Sequence, residues 1–476
     1  MLFSELTFWA FFAIVMAAYL VLPHKAQNRM LLVASYVFYA AWDWRFLSLI
    51  LLSTFVDYLV GLALAGTEDE RRRKRLLWLS LGINLGMLAV FKYLGFFIDS
   101  FQAMLAGIGY EADPLILSIV LPVGISFYTF QTLSYTIDVY RRELKPTRDF
   151  LDFALFVAFF PQLVAGPIER AKNLLPNIEM PRVMSWENIS RGAVLCLLGL
   201  IKKIVIADGL APSVDAIYSS PDPSRLDILL ATWFFAIQIY CDFSGYTDIA
   251  RGVAKMLGFG LMRNFAQPYF AANPQEFWRR WHISLSTWLR DYLYISLGGN
   301  RGGRWSTYRN LMATMTLGGL WHGAAWNFIL WGIYQGGLLG LHRALAGARK
   351  GSGEGQGRGI GTWLWRLVLI AAFFQVVCYG WLLFRATSFE QIVEFTGRLA
   401  GLLPAPGGSV MPEPPFAAML GIGFLLVWDI LTEASGRVRF YAGWPLVIRA
   451  GLWAGMIYLL AFGATTATSA FIYFQF

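Results

Sequence analysis

Charge is scarce in this sequence. Only 14% of its 476 residues are Asp, Glu, Lys or Arg, while 57% are hydrophobic; a soluble domain carries about 25% charged residues to keep its surface wet. A water-soluble globular fold is excluded on that ground. Cysteine is sparser still: Cys196, Cys241 and Cys378 lie far apart in apolar stretches, without the paired spacing of a disulfide framework or a zinc site. No Gly-rich nucleotide loop, serine elbow or metal-ligand cluster occurs, so no metal is expected and the usual nucleotide and hydrolase machinery is missing. Residues 1–22 have no basic n-region and no small-residue cleavage site, so they read as a retained first span. No internal repeat at fixed period supports a solenoid or an inverted-repeat transporter.

Long apolar runs are what the chain does have. They fall near 6–22, 30–42, 46–65, 76–98, 115–137, 151–166, 192–207, 228–247, 311–341, 364–384, 416–432 and 445–474, and runs near 20 residues are the length of a membrane-crossing helix. The expected fold is an all-α, polytopic, single membrane domain over 1–476. Two runs depart from a simple span. Residues 151–166 are short and end in Pro161 and Gly166-Pro167, which predicts a broken or re-entrant segment. The uncharged run 311–341 exceeds one crossing and is dense in glycine, which predicts a tilted or interrupted helix.

The net charge of +9 sits in short clusters between apolar runs, where it orients a membrane protein and does not point to nucleic acid. Arg71, Arg72, Arg73, Lys74 and Arg75 crowd one loop and Arg141, Arg142, Lys145 and Arg148 another; both are expected on the cytoplasmic side. Acidic loops carrying Glu111 and Asp113, then Asp215, Asp222 and Asp227, then Glu390, Glu394 and Glu413, are expected outside, and counting spans puts the N-terminus there too. The glycine- and serine-rich stretch 346–362 reads as a flexible cytoplasmic linker.

Four histidines are present. His24 and His342 stand beside basic residues at the ends of apolar runs and read as interfacial. His322 differs, because it lies deep in GGLWHGAAWNFILWG, and an ionisable ring at that depth marks function unless it ties helices together. The small residues around it, Gly318, Gly319, Gly323, Ala324 and Ala325, permit close approach of a second backbone or of a slender substrate. Trp321 and Asn327 in the same stretch are substrate-binding candidates, with Gly319 and Gly323 structural or tunnel-lining. His282 lies in NPQEFWRRWHISLSTWLRDYLYISLGGN, which opens on a helix-start signal and continues as a basic, aromatic amphipathic helix. There Arg279, Arg280 and Arg290, beside Trp278, Trp281 and Trp288, either anchor the interface or grip an anionic phosphate. Asp242 and Asp248, on different faces of one apolar helix, are expected to pair with an arginine of 279–290 or to line a tunnel. The histidines are the acid–base equipment: a neutral imidazole can take the proton of a hydroxyl attacking a thioester, or carry the acyl group itself.

Five ordered motifs then carry a family resemblance: LPVGISFYTFQTLSYTIDVYR at 121–141, FFPQLVAGPIER at 159–170, QIYCDFSGYTDIARG at 238–252, FWRRWHISLSTWLRDYLY at 277–294 and GGLWHGAAWNFILWGIYQG at 318–336. With them, nearly the whole chain resembles the membrane-bound O-acyltransferase family, in its bacterial alginate O-acetyltransferase branch, and the terminal FIYFQF looks like the ending of that branch. Cys241 departs from the aromatic or aliphatic residue expected before Asp242. The resemblance implies a ring of about 10–12 transmembrane helices, with re-entrant and amphipathic cytoplasmic helices around a central catalytic tunnel. It places the catalytic histidine on His322 and the second on His282. It further implies acetyl-CoA as a cytoplasmic donor with no permanently bound cofactor, a bacterial inner-membrane location, and a periplasmic acetyltransferase partner that decorates an exopolysaccharide, or the glycan itself as acceptor. Within the family the alternative is D-alanyl transfer to teichoic acid from a carrier protein; outside it, a non-catalytic polysaccharide export channel.

Overall fold

A computed structural model describes residues 1–110, 120–163, 166–349, 360–464 and 471–472, all helix, turn or coil with no strand among them. Glu111 and Asp113, linker residues 350–359 and the last four residues of FIYFQF lie outside the described residues. Six helical stretches are long and apolar enough to cross a membrane: His24–Ala65, Glu70–Gly107, Arg225–Met256, Gly361–Arg385, Phe416–Ser435 and Leu446–Gly463. Large apolar side chains such as Ile14, Trp78, Phe97 and Phe462 are more than half exposed, a surface that suits lipid and not water.

The chain forms two compact units, Met1–Ala193 with Ala250–Met262, and Val194–Ile249 with Arg263–Phe476. In the first, Arg73 corrects the reading of the basic cluster. Arg71–Arg75 form the opening turns of the helix Glu70–Leu88, capped by Asp69, and not a loop. Arg73 is buried, its guanidinium donating to the carbonyls of Leu64 (2.5 Å) and Tyr140 (2.8 Å). It thereby satisfies the carbonyl ends of two helices, Leu47–Ala65 and Ile125–Tyr140, that have no intrahelical partner. The 151–166 run breaks as its prolines predict: Phe150–Ala158 ends at Phe159, and Phe160–Leu163 makes one further turn.

In the second unit, the last turns of the helix Trp186–Leu200, from Val194 on, continue through a π-helical stretch, Ile201–Ala207, into Asp208–Tyr218. Gly199 and Gly245 bring this helix against Arg225–Met256 so closely that a Cβ on Gly199 would stand 2.5 Å from the Gly245 carbonyl, the small-residue packing of membrane helices. The stretch 386–413 is not a plain acidic loop. It contains the amphipathic helix Phe389–Ala400, capped by Ser388, which buries Ile392 and Phe395.

The long uncharged run is interrupted, as expected. Gly303–His322 ends where Gly323 turns extended (φ −158°, ψ 151°), and Trp326–Arg349 returns antiparallel to it. Glycine makes this hairpin possible: a Cβ on Gly319 would strike the Phe328 carbonyl, and one on Gly332 would stand 2.5 Å from the Met315 carbonyl. His322 is the last residue of the first arm, at the apex.

Candidate active site

The apex and a second chain break bring the two histidines together. Asn273 caps the helix Pro274–Arg280 by accepting from the Glu276 N–H (2.9 Å), so the predicted helix start is real. The helix does not continue through the motif, however. It stops at Trp281, and His282 adopts a left-handed conformation (φ 44°, ψ 54°) before Ile283–Trp288 begins. A non-glycine residue holds such a conformation only where its surroundings fix it. Here Asn264 does so: its carbonyl accepts from the Ile283 N–H (2.9 Å) and its side-chain oxygen from the Ser284 N–H (3.1 Å) and hydroxyl (3.0 Å).

That oxygen also faces His282 Nδ1 at 3.2 Å. A backbone N–H can only donate, so the Asn264 atom is an acceptor and Nδ1 carries the proton. Nε2 is then the basic nitrogen of a neutral ring. It is buried and has no hydrogen-bond partner among the described residues. Burial pushes the pKa of His282 down to about 3, because desolvation disfavours the imidazolium.

His322 is 4% exposed, with its ring centroid 6.3 Å from that of His282. Aromatic rings wall the pair: Trp321 (5.1 Å), Trp331 (5.1 Å) and Phe384 (5.6 Å) around His322, and Phe243 (4.6 Å, edge-on) against His282. Trp281 joins through Phe265 (5.0 Å) and Trp381 (4.8 Å). Such a wall excludes water from an acyl-transfer step and strengthens each polar contact made inside it.

Other candidates stand apart. Arg279 and Arg290 are exposed, and Arg290 pairs with Asp291 (2.6 Å). Arg280 is gripped by Glu433 (2.8 Å) and Glu276 (2.9 Å). Trp288 packs on Tyr292 (5.1 Å). Asn327 donates to the Phe384 and Ala386 carbonyls (3.1 and 3.0 Å), closing the end of Ile360–Arg385. Gly319 and Gly323 serve the hairpin, since a Cβ on either would strike Phe328.

Asp242 and Asp248 are paired, but with lysines of the π-helical stretch and not with arginines of 279–290. Lys203 bridges Asp242 and Asp208 (2.8 Å each), Lys202 meets Asp248 (2.8 Å), and Asp242 accepts the Ile472 N–H (2.7 Å). Two consecutive lysines inside the apolar run LGLIKKIVIAD were the readable sign of this network. Asn264, Phe243 and Phe384 carry no comparable sign, being ordinary residues brought in by the fold.

A helical, multi-pass membrane protein with a buried histidine pair at a hairpin apex is the class that fold and site define. The family description "MBOAT, membrane-bound O-acyltransferase family" matches residues 140–350, a stretch holding both histidines and the hairpin, and the chain belongs to that family. It is an O-acyltransferase. It is 44% identical to the probable alginate O-acetylase AlgI of Azotobacter vinelandii, over 93% of this chain and 86% of that protein. With the peptidoglycan O-acetyltransferase of Helicobacter pylori it shares 34% identity over 84% and 79% of the two chains. With the teichoic acid D-alanyltransferase of Bacillus subtilis the figure is 27%, over 56% and 70%.

Proposed function

We propose that this O-acyltransferase takes an acetyl group from acetyl-CoA at the cytoplasmic face of a bacterial inner membrane and passes it outward for O-acetylation of an exopolysaccharide such as alginate. The relay ends on the glycan or on a hydroxyl of a periplasmic partner acetyltransferase. The observation that carries the reading is His322, a buried imidazole at the apex of a hairpin in a water-excluding aromatic wall. In this role His322 takes the proton of the attacking hydroxyl. His282 keeps its Nδ1 proton on the Asn264 side-chain oxygen, which leaves its Nε2 to accept a hydrogen bond from substrate. Acetyl rather than D-alanyl transfer is supported by the higher identity and fuller coverage of the acetylating relatives. The charge bias of the segments supports an N-terminus outside, with Arg72 inside and Ser409 outside.

Inverted membrane vesicles given acetyl-CoA labelled on the acetyl group test the donor. The label is expected on polysaccharide or a partner hydroxyl, recovered by mass analysis; label that stays on coenzyme A, with transfer only from an aminoacyl carrier protein, contradicts the reading.

A further inference from the structure

Open polar atoms gather around the histidine pair. The Trp331 side chain is 1% exposed, and its indole N–H has no hydrogen-bond partner among the described residues. The same holds for the Trp278 indole N–H and for His282 Nε2. All three belong to one connected set of rings, running from Trp278 to Trp331 (5.9 Å), from Trp331 to His322 (5.1 Å) and from His322 to His282 (6.3 Å). Elsewhere in the same unit the less buried Trp233 donates its indole N–H to Gln375 (2.9 Å). Buried polar groups are normally satisfied and costly to leave open, so three open atoms in one wall mark a place where a ligand supplies the partners.

Trp331 stands at the chemistry. Its ring is perpendicular to that of His322, and its other ring neighbours are Phe384 (5.4 Å), Trp381 (6.1 Å) and Trp278. Those three side chains hold no hydrogen-bond acceptor, and a ring face is only a second-order partner for an N–H. Acyl transfer needs a donor that neither histidine supplies, because His322 takes a proton and His282 Nε2 accepts a hydrogen bond.

We propose that the Trp331 indole N–H is the oxyanion donor of the reaction. The role rests on the function proposed above, in which the acyl group arrives as a thioester and His322 is the base. As the acceptor oxygen bonds to the thioester carbonyl carbon, its proton passes to His322, and the carbonyl π pair moves onto the oxygen that Trp331 Nε1 holds. On collapse the C=O bond re-forms, the C–S bond breaks, and the leaving thiolate takes the proton back from His322. A fixed donor aimed at developing charge, inside a wall that excludes water, is where one hydrogen bond contributes most to rate.

The test is acetyl transfer in inverted membrane vesicles carrying the full-length protein and supplied with acetyl-CoA labelled on the acetyl group. Wild type is compared with Trp331→Phe and with a protein carrying β-(3-benzothienyl)alanine at position 331, which keeps the bicyclic shape but has sulfur in place of the N–H. In both variants kcat should fall by about 10²–10³-fold with KM for acetyl-CoA nearly unchanged, and the melting temperature of the benzothienyl protein should stay within a few degrees of wild type. A benzothienyl protein that turns over like wild type overturns the oxyanion role, whatever Trp331→Phe does, and leaves the proposed function intact. A loss confined to KM overturns it as well, since the contact is then made equally to the bound substrate. Wild-type vesicles that transfer no label remove the thioester, and both readings fall.

Discussion

Each of the two units buries a polar centre, and the two are finished differently. In the first, Asp57 accepts from the Ser80 hydroxyl, from Thr136 (3.2 Å) and from the Asn84 amide (2.9 Å), while Asn84 accepts from Ser53 (2.7 Å). No side-chain polar atom of that cluster lacks a partner. In the second, His282 Nε2 and Asn264 Nδ2 are buried with no hydrogen-bond partner among the described residues. Buried polar groups are normally satisfied, and leaving one unmade is costly. A closed cluster reads as structural, and an open atom beside a second buried imidazole reads as a place kept for substrate.

Four substitutions test that contrast, beginning with the largest effect. Lys203→Met removes the buried cation that Asp208 and Asp242 share, which costs about 3–5 kcal/mol. The protein should fail to accumulate in membranes by immunoblot. Asp57→Ala leaves several donors of the closed cluster unsatisfied, at about 1–3 kcal/mol; melting temperature should drop while turnover per folded molecule holds. A loss of turnover without a loss of stability would transfer Asp57 to the functional class. Asn264→Ala frees the His282 ring and its strained backbone, and turnover should fall about tenfold with a smaller loss in melting temperature. Arg290→Ala removes an exposed pair with Asp291, worth at most about 1 kcal/mol, and should leave stability and KM for the donor nearly unchanged.

The His282 environment also sets a pH dependence. Its pKa is depressed from 6.5 to about 3 in the folded protein, so between those values the unfolded chain binds the extra proton. Its contribution to stability is present above pH 6.5 and is lost as pH falls toward 3. Melting temperature against pH should slope in that window for wild type and less for His282→Asn.

Much of this was legible in the residues. The proline and glycine signals located the breaks at Phe159 and Gly323, because those residues change what the backbone can do locally. His322 was legible because an ionisable side chain in an uncharged run needs a reason. The break at His282 was not, since histidine in a left-handed conformation is imposed by Asn264 from 18 positions away. Nor was the fate of Arg280: which of several carboxylates claims an arginine depends on tertiary approach, and Glu433 lies on another helix.

The most direct measurement compares His322→Gln with wild type for acetyl transfer per folded molecule, at matched expression and with melting temperature recorded. The amide keeps similar volume and hydrogen bonding but cannot take a proton at neutral pH. Transfer should fall by about 10²–10⁴-fold with the melting temperature within a few degrees of wild type. A well-folded His322→Gln protein that still transfers acetyl groups at near the wild-type rate would contradict the account, reducing this histidine to a tie between helices.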